Sequence, residues 1–230
     1  MTAVQIIWLA VLMPMSLLVF ILAMIYSSIM FRRTQKHAFD IRSEFPFELM
    51  DGREQVLRLG RIYLIIWGAL DAALSLYLLV TLTSHSFLLW MAVIFAASIL
   101  LRDVSFFFLF CIPAFHFKPH FTAFVSSSGL TAFSSAAAVI VCLNAREYVG
   151  GTAIGFSIGL GLIGIFAMVI MVNPKLANWA KLESSVDESG AIVERRPKYF
   201  VLAFSEWLIV FAGLLLSTAS VIAFVLFDIL

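Results

Sequence analysis

Four ionisable residues stand inside apolar stretches of this chain: Asp71, the adjacent Arg102 and Asp103, and Glu206. A charge in hydrocarbon is costly unless it is paired, protonated or faces water. Such residues therefore mark either an ion or proton path or a polar contact between helices. Asp71 lies ten residues beyond Arg61, which places it mid-bilayer if the stretch is helical. Arg102 and Asp103 fall ~25 Å along a hydrocarbon core of ~30 Å. That is close to a boundary, where Arg102 can snorkel to the lipid phosphates. Glu206 lies ~10 Å from the same boundary. An Arg102–Glu206 bridge fits these depths, and an Arg102–Asp71 bridge needs the full reach of the arginine. The expectation is one polar intramembrane cluster of Asp71, Arg102, Asp103 and Glu206. It would act as a transport or proton pathway, or as a clasp between helices or subunits. Asp228 is expected to be solvated.

Other chemistry is sparse. His37, His116 and His120 lie in basic segments and His85 in a short loop. No histidine is expected inside a helix core, so a haem held by paired imidazoles is not expected. His116 and His120 are four apart, but Pro119 spoils a shared helical face, and no metal site is expected. The string "GFSIG", 155 to 159, matches the nucleophile elbow GxSxG. That motif needs a strand-to-helix turn, so Ser157 is read as an ordinary helix residue. No P-loop occurs, and ATP hydrolysis would need another chain. Cys111 and Cys142 form no CxxC pair and are read as small apolar residues. No catalytic residue, metal or cofactor is expected.

The elements that position these residues follow from composition. Of the 230 residues, 63% are hydrophobic and 13% charged, against about half and a quarter in soluble domains. A span of ~20 apolar residues crosses a bilayer. Six such runs are expected as helices, at about 4–31, 62–83, 86–110, 121–143, 150–172 and 199–229. Open strands are forbidden in lipid, and the period-two alternation of a membrane barrel is missing. Pro14 is expected to kink the first helix. Of 15 Lys and Arg, 13 fall on one side of a six-span layout, with Arg146 alone opposite and Arg102 within a span. The positive-inside rule then places both termini outside and the basic loops in the cytoplasm. The fold class is all-α, a polytopic integral membrane bundle forming one domain over 1–230.

Two loops, 32–61 and 173–198, are long enough to be structured. In the first, Phe39, Phe45, Phe47, Leu49 and Met50 are apolar, Asp51-Gly52 signals a turn, and Val56, Leu57 and Leu59 suggest an amphipathic lead-in to a helix. It is expected in the headgroup layer or as a docking surface for a cytoplasmic partner. In the second, Asn173-Pro174 ends a helix, and Leu176, Trp179 and Leu182 form an interfacial face. A small β-hairpin then turns at Asp187 to Gly190, and Pro197 ends it. Within the membrane, Gly151, Gly155 and Gly159 recur at spacing four, a glycine zipper, with Gly161 and Gly164 beyond them. Ser127, Thr131 and Ser135 offer a matching strip, and small residues at this spacing allow close helix contact. The expectation is that these two helices pack together or that one meets a partner.

The stretch "LRDVSFFFLF", followed by a basic turn and a small-residue helix, resembles ABC-type export permeases over about a fifth of the chain. With the acid Asp71 in the second helix, the elaborated loops and the lack of a catalytic set, the first expectation is a membrane subunit of a transport or export assembly, with its energy-supplying or catalytic parts on other chains. Two other readings are a non-catalytic scaffold or assembly subunit of a membrane complex, and a membrane enzyme acting on lipid head groups. Membrane lipids and other membrane or cytoplasmic subunits are the expected partners, with no nucleic acid. The expected location is a bacterial inner (plasma) membrane.

Overall fold

The computed structural model describes residues 3, 7, 11–49, 54–82, 86–112, 116–144, 151–178, 183–186, 192–195 and 197–226. Its helices are α1 (Met13–Gln35), a short α2 (Pro46–Leu49), α3 (Glu54–Thr81), α4 (Ser86–Cys111), α5 (Phe117–Asn144), α6 (Gly151–Met171) and α7 (Val201–Leu226). Five of them, α3 to α7, are long and apolar enough to cross a membrane. The first expected run, about 4–31, overlaps α1, a helix of 23 residues. Its outward Met15, Leu18, Ile21, Leu22, Ile25 and Ile29 are exposed.

Local chemistry sets the helix ends. Pro14 stands in the first turn of α1, after a π turn at 11–12. An N-terminal N–H has no partner to lose, so proline starts this helix. Lys36 closes α1 in the left-handed region, φ 63°, and its N–H donates to Arg32 O at 3.1 Å. Helix α3 begins at Glu54, earlier than expected, because the amphipathic lead-in is continuous with the span. Helix α5 begins at Phe117 rather than 121, with Pro119 in its first turn.

Helix α7 is the central rod. Of its most apolar stretch, 67% is buried, against 28% for α3 and α6. Helices α3, α4, α5 and α6 pack in sequence, α6 and α5 also touch α7, and α1 leans on α3. The interior falls into two apolar halves. One holds Trp67, Phe106, Phe110, Phe124 and Trp207 and is rich in aromatic rings. The other holds Leu74, Leu78, Phe95, Ile99 and Phe224. On two helices the seam between them falls at charged residues: Asp71 stands between Trp67 and Leu74 on α3, and Arg102 and Asp103 stand between Ile99 and Phe106 on α4.

The segment 37–49 packs onto the bundle. Phe45 and Leu49 are each 2% exposed and belong to the aromatic core. Phe200 N–H donates to Arg42 O at 2.7 Å, and Trp207 Nε1 donates to Glu44 O at 2.9 Å. After α6, a 3₁₀ turn (Pro174–Asn178) puts Leu176 into the same core rather than on an interfacial face. Strands β1 (Glu183–Val186) and β2 (Ile192–Arg195) pair antiparallel, Glu183 opposite Arg195 and Val186 opposite Ile192. This is the expected hairpin. Its turn at 187–190, with Asp51-Gly52, His85, Arg146, Trp179, Leu182 and Asp228, lies outside the described residues, as do the side chains of 56–59.

Helices α5 and α6 pack together as expected, through Ser135 of the α5 strip and Gly164 of α6, but not through Gly151, Gly155 and Gly159. Ser135 Oγ donates to Leu160 O at 2.6 Å. A Cβ on Gly164 would meet Ser135 Oγ at 2.5 Å, so Gly164 is the residue that permits the approach. Gly151, Gly155 and Gly159 have open space where a Cβ would stand. Gly155 and Gly159 instead line an apolar groove of about 930 Å³ between α6 and α7. Ser127 and Thr131 are buried, and their hydroxyls donate within α5, to Phe124 O at 2.8 Å and Ser127 O at 2.7 Å.

Candidate functional site

Asp71 on α3, Arg102 and Asp103 on α4, and Gly213 and Ser217 on α7 meet at the seam. Arg102 is fully buried, and its guanidinium makes five hydrogen bonds. Nη2 donates to Asp71 Oδ2 at 2.7 Å, to Asp103 Oδ1 at 2.7 Å and to Ser217 Oγ at 2.9 Å; Nε donates to Asp103 Oδ1 at 3.1 Å and Nη1 to Gly213 O at 3.2 Å. Ser217 Oγ in turn donates to Asp71 Oδ2 at 2.8 Å. The guanidinium carbon lies 5.5 Å from the centroid of Phe106. A Cβ on Gly213 would meet the Phe106 ring at 2.6 Å, so glycine there allows α4 and α7 to close on the arginine.

This geometry corrects the depth read from sequence. Arg102 does not snorkel outward. Helical Cα–Cβ bonds lean toward the N-terminus, and Arg102 lies toward the C-terminal end of α4. Its side chain is therefore thrown back toward mid-bundle, to the level of Asp71. Two carboxylates face one guanidinium, and Asp103 Oδ2 has no hydrogen-bond partner among the described residues. Tyr63 OH, Trp67 Nε1 and Ser75 Oγ, on the same helix as Asp71, are buried without a hydrogen-bond partner among the described residues, as is Ser220 Oγ on α7. Tyr63, Trp67, Asp71 and Ser75 recur every four residues, which makes one face of α3 polar at its tips and apolar elsewhere.

Glu206 is not part of this cluster. It is seven residues before Gly213, so it lies on the same face of α7 but ~10 Å along the axis. Its Oε1 lies 2.7 Å from His120 Nε2, with both side chains fully buried. His120 Nδ1 is 2.7 Å from Ile112 O, at the end of α4. Phe45 and Phe47 set their ring planes nearly perpendicular to His120, at 82° and 84°. Sequence reasoning missed His120 because Pro119 was read as a helix breaker. A proline in a first turn is also a helix starter, and that reading would have put His120 one turn inside α5.

Other residues considered from sequence are placed elsewhere. Ser157 is buried in α6 with Oγ donating to Ala153 O at 2.8 Å, in no turn between strand and helix. Cys142 is buried, Cys111 half-buried, and neither is in a disulfide. No group of three or more His, Cys, Asp and Glu side chains able to hold a metal ion stands together among the described residues. Outside the spans, Arg42 Nη2 meets Asp40 Oδ2 at 2.7 Å. The hydrogen bonds from Arg42 hold the Asp40 carboxyl below its ordinary value.

The fold and this interior define a helical membrane-integral protein with two separate buried ionisable sites. The chain matches no protein-family model, no curated protein and no solved structure.

Proposed function

We propose that this chain is the membrane-embedded subunit of a transport or export assembly, whose energy-supplying parts are on other chains. One observation carries the reading. Asp71 and Asp103 converge on a single guanidinium deep in the bundle, leaving Asp103 Oδ2 without a hydrogen-bond partner among the described residues. A clasp between helices needs one acid per arginine. The second acid, in an apolar surround, adds a desolvation cost that selection for stability alone would remove. In this reading α1 is a sixth span, since it is long enough and its outer face is apolar. The basic segments then face the cytoplasm with both termini outside, and the membrane is a bacterial inner membrane. The parallel with ABC-type export permeases rests on the sequence stretch alone.

A second reading, a non-catalytic assembly subunit, is favoured by two features. Every nitrogen of Arg102 is hydrogen-bonded, and a side chain at Gly155 or Gly159 would begin in open space. Purification in mild detergent from the producing cell, with identification of co-purifying chains, separates the two. An energy-coupling partner whose activity is lost with the near-isosteric Asp71→Asn, while the complex still assembles, supports transport. A complex that assembles and works unchanged with Asp71→Asn rejects the transport reading.

A further inference from the structure

The pair His120–Glu206 can be assigned its hydrogens from geometry alone. Ile112 O is only an acceptor, so at 2.7 Å His120 Nδ1 carries hydrogen and donates to it. Nε2 and Glu206 Oε1 are 2.7 Å apart, so one hydrogen lies between them. Whether it is held on nitrogen or on oxygen, the pair is neutral and contains one proton more than imidazole plus carboxylate. Without that proton, a nitrogen lone pair would face a carboxylate oxygen inside an apolar core. Glu206 Oε2 has no hydrogen-bond partner among the described residues, so nothing else there would solvate the negative charge. The bare carboxylate becomes tolerable only if water enters.

The cover that keeps water out is the segment 37–49. Phe45 and Phe47 pack against the imidazole, and Trp207, next to Glu206, holds Glu44 O. The segment also brings an acid: Glu48, on α2, interacts electrostatically with both His120 and Glu206. Its Oε2 accepts Phe45 N–H at 2.7 Å. The other titratable groups nearby are His37, paired with Glu44 at 2.6 Å, and Asp40, paired with Arg42, both within the segment. Cys111 ends α4, and His116 and Lys118 flank the start of α5 on its exposed side. No second cation is paired with Glu206 among the described residues.

We propose that His120 and Glu206 form a proton-binding site that latches the segment 37–49 to the bundle. One proton is bound while the segment is docked and is released when it lifts. Loss of the proton puts the Glu206 carboxylate near that of Glu48 with no intervening positive charge, and the segment leaves. Docking and proton binding strengthen each other by the same factor, as linkage requires. This inference is independent of the transport reading and survives its failure.

Hydrogen–deuterium exchange of the purified full chain in mild detergent, across a pH series and corrected for intrinsic exchange, tests it. The opening constant of residues 37–49 should rise about tenfold per pH unit once the pair begins to lose its proton, the slope for one linked proton. Glu206→Gln keeps a hydrogen-bonding side chain of the same shape but cannot titrate, so the slope should vanish. Glu48→Gln should shorten the slope and end it at lower pH, because the Glu206 carboxylate would then meet no second acid while the segment is docked. His37→Gln should leave it unchanged. A wild-type segment whose protection does not change with pH overturns the proposal without any variant. So does a slope that persists in Glu206→Gln or disappears in His37→Gln.

Discussion

Replacing Arg102 by methionine tests whether the seam cluster is held by its one cation. The guanidinium bonds Asp71, Ser217 and Gly213 O across helix boundaries. Hydrogen bonds between helices in lipid average ~0.6 kcal/mol, since the unfolded chain in the membrane also finds partners. Three of them account for about 2 kcal/mol. Two buried carboxylates would then face each other without a cation, and breaking a buried pair from one side costs ~3–5 kcal/mol in all. The expected loss for Arg102→Met is therefore about 3–5 kcal/mol. Adding Asp71→Asn and Asp103→Asn removes the stranded charges, and the triple variant should return to within ~1 kcal/mol of the parent. Titration with a denaturing detergent from mild micelles, followed by the fluorescence of the buried Trp67 and Trp207, measures both. The reasoning fails if Arg102→Met costs under ~1 kcal/mol, or if the triple variant is less stable than the single one.

Gly213→Ala should cost about 1–3 kcal/mol by overpacking against Phe106, and Phe106→Leu in the same chain should recover part of it in the same titration. Gly164→Val should separate α5 from α6 and lower thermal stability, because even a first carbon there meets Ser135. Gly155→Ala and Gly159→Ala should change the isolated chain by no more than ~0.5 kcal/mol. A larger loss in calorimetry would show that their groove is filled within the chain. For Asp40 the folded carboxyl titrates below its unfolded value, so its contact with Arg42 contributes stability above the unfolded value and loses it as pH falls through the folded one. By NMR the Asp40 carboxyl should therefore titrate below the ordinary aspartate range, and Arg42→Gln should return it to that range.

The spans were legible because apolar length is a one-dimensional property: five runs read from sequence are helices long and apolar enough to cross a membrane. The hairpin was legible from a turn between two short alternating segments. What the sequence hid was direction. Arg102 was placed at the right height along α4, but its side chain leans back, which decides that Asp71 and not Glu206 is its partner. Spacing at four marked the smooth face of α6 but not which neighbour it would meet. The contact to α5 is made by Gly164, while Gly155 and Gly159 face the groove. His120 and Glu206 are 86 positions apart, and no local pattern joins residues at that separation. The docking of 37–49 is equally non-local, since its anchors are Phe200 and Trp207.

The rod at the heart of this bundle, α7, follows all the other helices in chain order. During synthesis, α3 and α4 reach the bilayer as neighbours that can neutralise Asp71 with Arg102 between themselves. Glu206, Gly213 and Ser217 arrive only with the last segment. Until then His120 has no carboxylate and the loop has no tryptophan to grip. A ribosome stalled before 201 would thus leave a half-built interior with open polar groups, which is the kind of lesion that membrane quality-control proteases recognise. Closure of this interior is in effect signalled by the insertion of one helix.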